Sequence, residues 1–176
     1  MATLKSDIVT NSQTIPLTLN QQAAQGGSVH QITAIYADLT LIALNDVLEI
    51  AWLPAHSHIV DIKVNHTEMA AGATLDIGVR TPSTATAGSP TTLSKDDTLS
   101  DGYDVNANTA VWVSVLGFGT NGMVPGLSGK RLWEQAGVAT EPTPGTVYAI
   151  TGIAGGADWA STFEVLAVRI LYTMGE

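Results

Sequence analysis

The chain has 176 residues, enough for one domain that buries its own core. Charged residues make up 13% of it, about half the roughly 25% of an average soluble domain. Seven Lys+Arg against 16 Asp+Glu leave a net charge of −9, which argues against nucleic acid or an anionic membrane as partner, and the lack of cysteine excludes disulfides, thiolate metal sites and Cys nucleophiles.

Residues 1–28 stand apart. The stretch SQTIPLTLNQQAAQGG is rich in Gln, Asn and Thr, is uncharged from Asp7 to His30 and closes with Gly26-Gly27, so it is expected to form an extended N-terminal arm. Its apolar residues Ile15, Leu17 and Leu19 alternate, as in a strand that buries one face. Ordering such an arm costs about 1–2 kcal/mol per residue, more than those side chains return, so it is expected to lie on a neighbouring subunit or a larger surface. The N-terminus also lacks the apolar run of a secretion signal, and no stretch approaches the roughly 18 apolar residues of a membrane span, so the expected place of synthesis is the cytosol.

From Val29 onward, short strand-like runs separated by turn residues predict an all-β antiparallel sandwich or barrel over 29–176. The runs are HQITAIYADL, DVLEIAWL, HIVDIKVN, ATLDIGVR, AVWVSVLGF, TVYAITGIA and FEVLAVRILY. Val60, Ile62 and Val64 alternate with Asp61, Lys63 and Asn65, predicting one buried and one wet face. Leu75, Ile77 and Val79 alternate in the same way, with Gly78 marking a close backbone approach. The last run is apolar on both faces apart from Glu164 and Arg169, so a central strand covered on both sides is expected there. Two long irregular stretches, 81–109 and 119–145, break the pattern, and within the second KRLWEQA between Gly129 and Gly137 is the best short helix.

Candidate chemistry is sparse. Gly117, Gly119 and Gly122 fit G-x-G-x-x-G, but Met123-Val124-Pro125-Gly126 blocks the helix a pyrophosphate needs, so a glycine-rich loop is expected. His56 and His58, with His66 and Glu68 nearby, resemble the first motif of cupins, yet Ile62 and Lys63 stand where the Glu ligand belongs; turn histidines are expected instead. Asp97, Asp101 and Gly102 fit part of a calcium loop, but Leu99 and Asn108 occupy ligand positions, leaving an acidic, solvated loop. No catalytic residue, metal ligand or cofactor-binding residue is assigned, and the chain is not expected to be an enzyme. Trp52, Trp112 and Trp159 lie in or beside predicted strands as core or sheet-face residues. Trp133, beside Lys130 and Arg131, is a candidate interaction residue together with Ile15, Leu17 and Leu19.

The stretch AIYADLTLIALNDVLEIAWLPAHSHIVDIKVNHTEMAAGATLDIGVR, with the closing TVYAITGIAGGADWASTFEVLAVRILYT, resembles the small jelly-roll virion proteins of tailed bacteriophages, of the head decoration or cement type. The resemblance implies a jelly-roll sandwich and a structural protein that binds the outer surface of a phage head and stabilises it. It implies homo-oligomers, most simply trimers, with the major capsid protein or another virion protein as partner and the virion as location. A carbohydrate- or receptor-binding β-sandwich of a tail or head fibre is the alternative, and a cupin-like metal enzyme comes third.

Overall fold

The computed structural model describes residues 3–5, 29–37, 39, 42–82, 94–109, 111–119, 130–159 and 165–174. Among them run β1 (Thr3–Lys5), β2 (Val29–Tyr36), β3 (Val47–Pro54), β4 (His58–His66), β5 (Thr74–Arg80), β6 (Ser94–Asp104), β7 (Val113–Ser114), the short helix α1 (Leu132–Gln135), β8 (Val147–Gly155) and β9 (Leu166–Thr173).

The strands form two sheets, ordered β1-β3-β8-β5-β6 and β2-β9-β4-β7. Omitting β1, the antiparallel pairs include β2 with β9, β3 with β8, β4 with β7 and β5 with β6, a nested first-with-last wrapping of eight strands, and β4 with β9 and β5 with β8 complete the two sheets. Except between β5 and β6, each strand is followed by one in the opposite sheet. That is jelly-roll topology, as expected. The core lies between the sheets, with Leu48, Ile50, Leu75, Ile77, Leu99, Tyr148 and Ile150 on one side and Ala34, Ile59, Ile62, Val64, Val168 and Ile170 on the other.

Most sequence-predicted elements appear where expected, including α1 within KRLWEQA and β9 as an interior strand between β2 and β4. Four expectations change. The acidic segment at 94–104 is a strand: β6 pairs with β5 and buries Leu99 and Ser100 completely, so only part of 81–109 is irregular. Its pattern is obscured because the pairing shifts register twice, between Leu75 and Ile77 and between Ile77 and Val79, which destroys a strict period of two.

The second change is at Val60, which is 49% exposed, because a bulge between Ile59 and Asp61 inserts it as an extra residue and moves Ile59, fully buried, to the core face. Third, AVWVSVLGF contributes only the two-residue β7; Gly117 and Phe118 instead bond across to Leu99 and Asp101 of β6. Fourth, β9 has one buried face and one half-buried face, the latter carrying Ala167, Arg169 and Leu171. At the N-terminus, Thr3–Lys5 pairs in parallel with Val47–Glu49 along the edge of the chain's own sheet. Ile15, Leu17 and Leu19 lie outside the described residues.

Candidate interaction surfaces

The turn after β3 closes with Ser57 N–H donating to the Pro54 carbonyl at 3.0 Å. The helix α1 docks on this turn: Leu132 N–H donates to the Ser57 carbonyl at 2.7 Å and Trp133 N–H to the Ala55 carbonyl at 3.0 Å. Glu134 caps the helix start by accepting from Arg131 N–H at 2.7 Å. Leu132 is fully buried, and Trp133 is half-buried against the main core.

The histidines do not converge. His56 sits in the turn, its Nε2 3.1 Å from Glu141 Oε1, the same oxygen that accepts from Arg131 at 3.0 Å. One carboxylate thus ties the β3–β4 turn to the segment around α1. His58 begins β4, whereas His66 ends it on the buried face. There the His66 Nδ1–H donates to the Thr67 carbonyl at 2.8 Å and the ring meets Tyr103 edge-on at 5.8 Å; Tyr103 in turn meets Phe118 at 5.5 Å. Burial holds the imidazole below its ordinary pKa, against smaller opposing effects of the Thr67 carbonyl and Asp104. Among the described residues no three His, Asp or Glu side chains gather as metal ligands.

Two carboxylates of the β5–β6 ribbon, those of Asp76 and Asp96, are committed to the strands themselves. Arg80 donates to both oxygens of Asp96, at 2.6 and 2.7 Å, and this pairing holds the Asp96 carboxyl below its usual range. Asp76 accepts from Gly102 N–H at 2.6 Å; burial raises its pKa, and the neighbouring acids Asp101, Asp97 and Asp96 add to the rise. Lys63 stands 3.4 Å from Asp61, and Arg169 lies over the Trp112 ring at 4.1 Å. Each of these cations has its own partner, and Lys63 and Arg169 lie opposite each other across β4 and β9.

The remaining aromatic rings are mostly enclosed. Trp159 is fully buried with its indole N–H donating to the Thr74 carbonyl at 3.2 Å, and Trp52 donates to the buried Glu49 at 2.8 Å. Phe118, at 45%, is the one broadly exposed aromatic among the described residues. The outer face of the four-stranded sheet exposes Val29, Ile35 and Val60. No described helix is long and apolar enough to cross a membrane.

No protein-family model matches the sequence. No curated protein matches it either. Among solved structures, the chain resembles one from the capsid of Ralstonia phage GP4, with a TM-score of 0.64 and 13% identity over 99% of both chains. A chain of the cyanophage Pam1 capsid asymmetric unit aligns with a TM-score of 0.35 and 12% identity over 88% of this chain and 93% of that one. At such identities the first likeness speaks to the fold, which it matches from end to end.

Proposed function

We propose that this chain is a structural protein of a bacteriophage virion, and more specifically a decoration or cement protein that binds the outer surface of the head and stabilises it. The observation that carries the reading is the likeness to a phage capsid chain over 99% of both partners, on a jelly roll whose His66 is buried and whose Asp96 is paired with Arg80. Jelly rolls serve chiefly as capsid, lectin and cupin domains. The dispersed histidines weigh against a cupin, and the enclosed aromatics weigh against a sugar-stacking lectin face, which needs exposed ring platforms. Low surface charge suits a protein held by many contacts to a shell.

In this reading the protein acts without catalysis or cofactor, in the virion, as a trimer bound to the major capsid protein or another virion protein. Thr3–Lys5 pairs with the chain's own sheet, so in this reading the rest of the arm, to residue 28, reaches a neighbouring subunit or the shell, with Ile15, Leu17 and Leu19 buried in that contact and the open part of Trp133 adding to it.

The test uses purified heads that lack this protein. Saturable binding, with a raised temperature of head disruption, is the expected result. Replacing Ile15, Leu17 and Leu19 together by Ser is expected to abolish binding while leaving the melting temperature of the free protein nearly unchanged. Absence of binding by the intact chain to heads and other virion parts overturns the proposal; full binding by the triple variant overturns the role of the arm.

A further inference from the structure

Sheet edges invite pairing with other chains, and natural sheets blunt them with brevity, bulges, charge or proline. Among the described residues, three of the four sheet edges are blunted. The strand β1 has three residues and β7 has two, while β6 carries Lys95, Asp96, Asp97 and Asp101 and breaks register twice. The fourth edge, β2, has none of these defences. Its sequence VHQITAIY contains no Lys, Arg, Asp, Glu or Pro, and it pairs with β9 over eight consecutive residues without a register shift. Among the described residues no strand lies on its other side. Alternate residues of such a strand turn their N–H and C=O groups away from the partner they already have.

The strand is also complementary to itself. Its outer face carries Val29, Gln31, Thr33 and Ile35, with Val29 and Ile35 exposed at 55% and 51%. Two antiparallel copies centred on Ile32 set Val29 of each against Ile35 of the other and Gln31 against Thr33, while on the inner face His30 meets Ala34. A shift of the centre by one residue either way loses the Val29–Ile35 pairing. This register therefore covers both exposed apolar side chains and, on the outer face, sets polar Gln31 opposite polar Thr33. A chain with net charge −9 repels its copies in general, but this strand brings no charge to the contact.

We infer that β2 is the edge through which two copies of this chain associate about a twofold axis, joining their four-stranded sheets into one eight-stranded sheet with β2 paired to β2 in the register centred on Ile32. The contact is isologous and uses one edge of each copy, so it adds to any threefold association and does not depend on the virion assignment.

The test exploits the absence of native cysteine. Directly opposed residues lie about 4.5–5.5 Å apart between Cα atoms, within disulfide reach, whereas the diagonal pairs are about 7–8 Å apart. Full-length Q31C and T33C chains are oxidised separately and as an equimolar mixture, at the same total concentration. The expected result is a disulfide-linked dimer at least tenfold more abundant in the mixture than in either variant alone. Adding Ile35→Lys to both chains is expected to cut that yield at least tenfold, with an unchanged circular dichroism spectrum showing that the exposed substitution leaves the fold intact. Equal yields in mixture and single variants, no crosslink in the mixture, or a yield indifferent to Ile35→Lys would each overturn the inference.

Discussion

Gly78 of β5 lies so close to the Lys95 carbonyl of β6 that a Cβ at this position would occupy the space of the Lys95 and Asp96 backbone. The contact is backbone to backbone, so no rotamer change relieves it. Gly78→Ala is expected to destabilise the fold by about 1–3 kcal/mol, by forcing β5 and β6 apart where their register already shifts. Urea denaturation monitored by tryptophan fluorescence measures this; an unchanged midpoint would show that the two strands are not held at this spacing.

The bulge in β4 makes neighbouring apolar residues unequal. Val60 points into solvent and Ile62 is fully buried. Val60→Asn is expected to change stability by no more than about 0.5 kcal/mol. By contrast, Ile62→Asn leaves an unsatisfied amide in the core and is expected to cost more than about 3 kcal/mol. Comparing the two midpoints tests the register directly, since an unbulged strand with Val60 inward would make both substitutions severe.

Trp159 anchors the segment between β8 and β9. Its ring is fully buried, its N–H donates to the Ile42 carbonyl at 3.0 Å and its indole N–H to the Thr74 carbonyl. Trp159→Ala is expected to cost about 3–5 kcal/mol, the usual result of emptying a large aromatic site. Trp159→Phe retains most of the packing but loses the indole bond to the Thr74 carbonyl, and should lie between Trp159→Ala and the native protein in thermal melts.

His66 gives the fold a dependence on acid. Because burial lowers the pKa of the folded state, the unfolded chain binds a proton at higher pH than the native one does. The contribution of His66 is therefore fully present above its unfolded value of about 6.5 and is lost as pH falls toward the lower folded value. Denaturation midpoints between pH 7 and pH 5 are expected to decline in the native protein and to decline less in His66→Gln. Identical slopes for the two proteins would mean that the ring gains a proton on the buried face without penalty. Asp76 acts in the opposite sense at more acid pH, since its raised pKa makes ionisation on folding the costly step.

How much of this was readable without coordinates differs from strand to strand for physical reasons. Alternation in Leu75, Ile77 and Val79 marked β5 because its pairing with β8 runs without a register shift and keeps all three side chains in the core, and Gly78 was identifiable because a glycine inside a strand implies a close backbone. The short helix was legible from KRLWEQA and its flanking Gly129 and Gly137. Low charge and the lack of cysteine bounded the chemistry outright.

What the tertiary structure alone decided is everything that depends on pairing across large sequence separations. β6 hid in an acidic segment because its stability comes from hydrogen bonds to β5 and from the Arg80–Asp96 pair, neither of which leaves a periodic trace in the segment itself. The outward turn of Val60 depends on a bulge against β9, more than a hundred residues away in the chain. The nested order of the sheets, the scattering of histidines that stand close in sequence and, among the described residues, the undefended edge at β2 follow from which strands become neighbours. Local sequence sets the faces of a strand through the period of its side chains; its partners are chosen by the summed burial of the whole sandwich, a property of the folded chain and not of any segment within it.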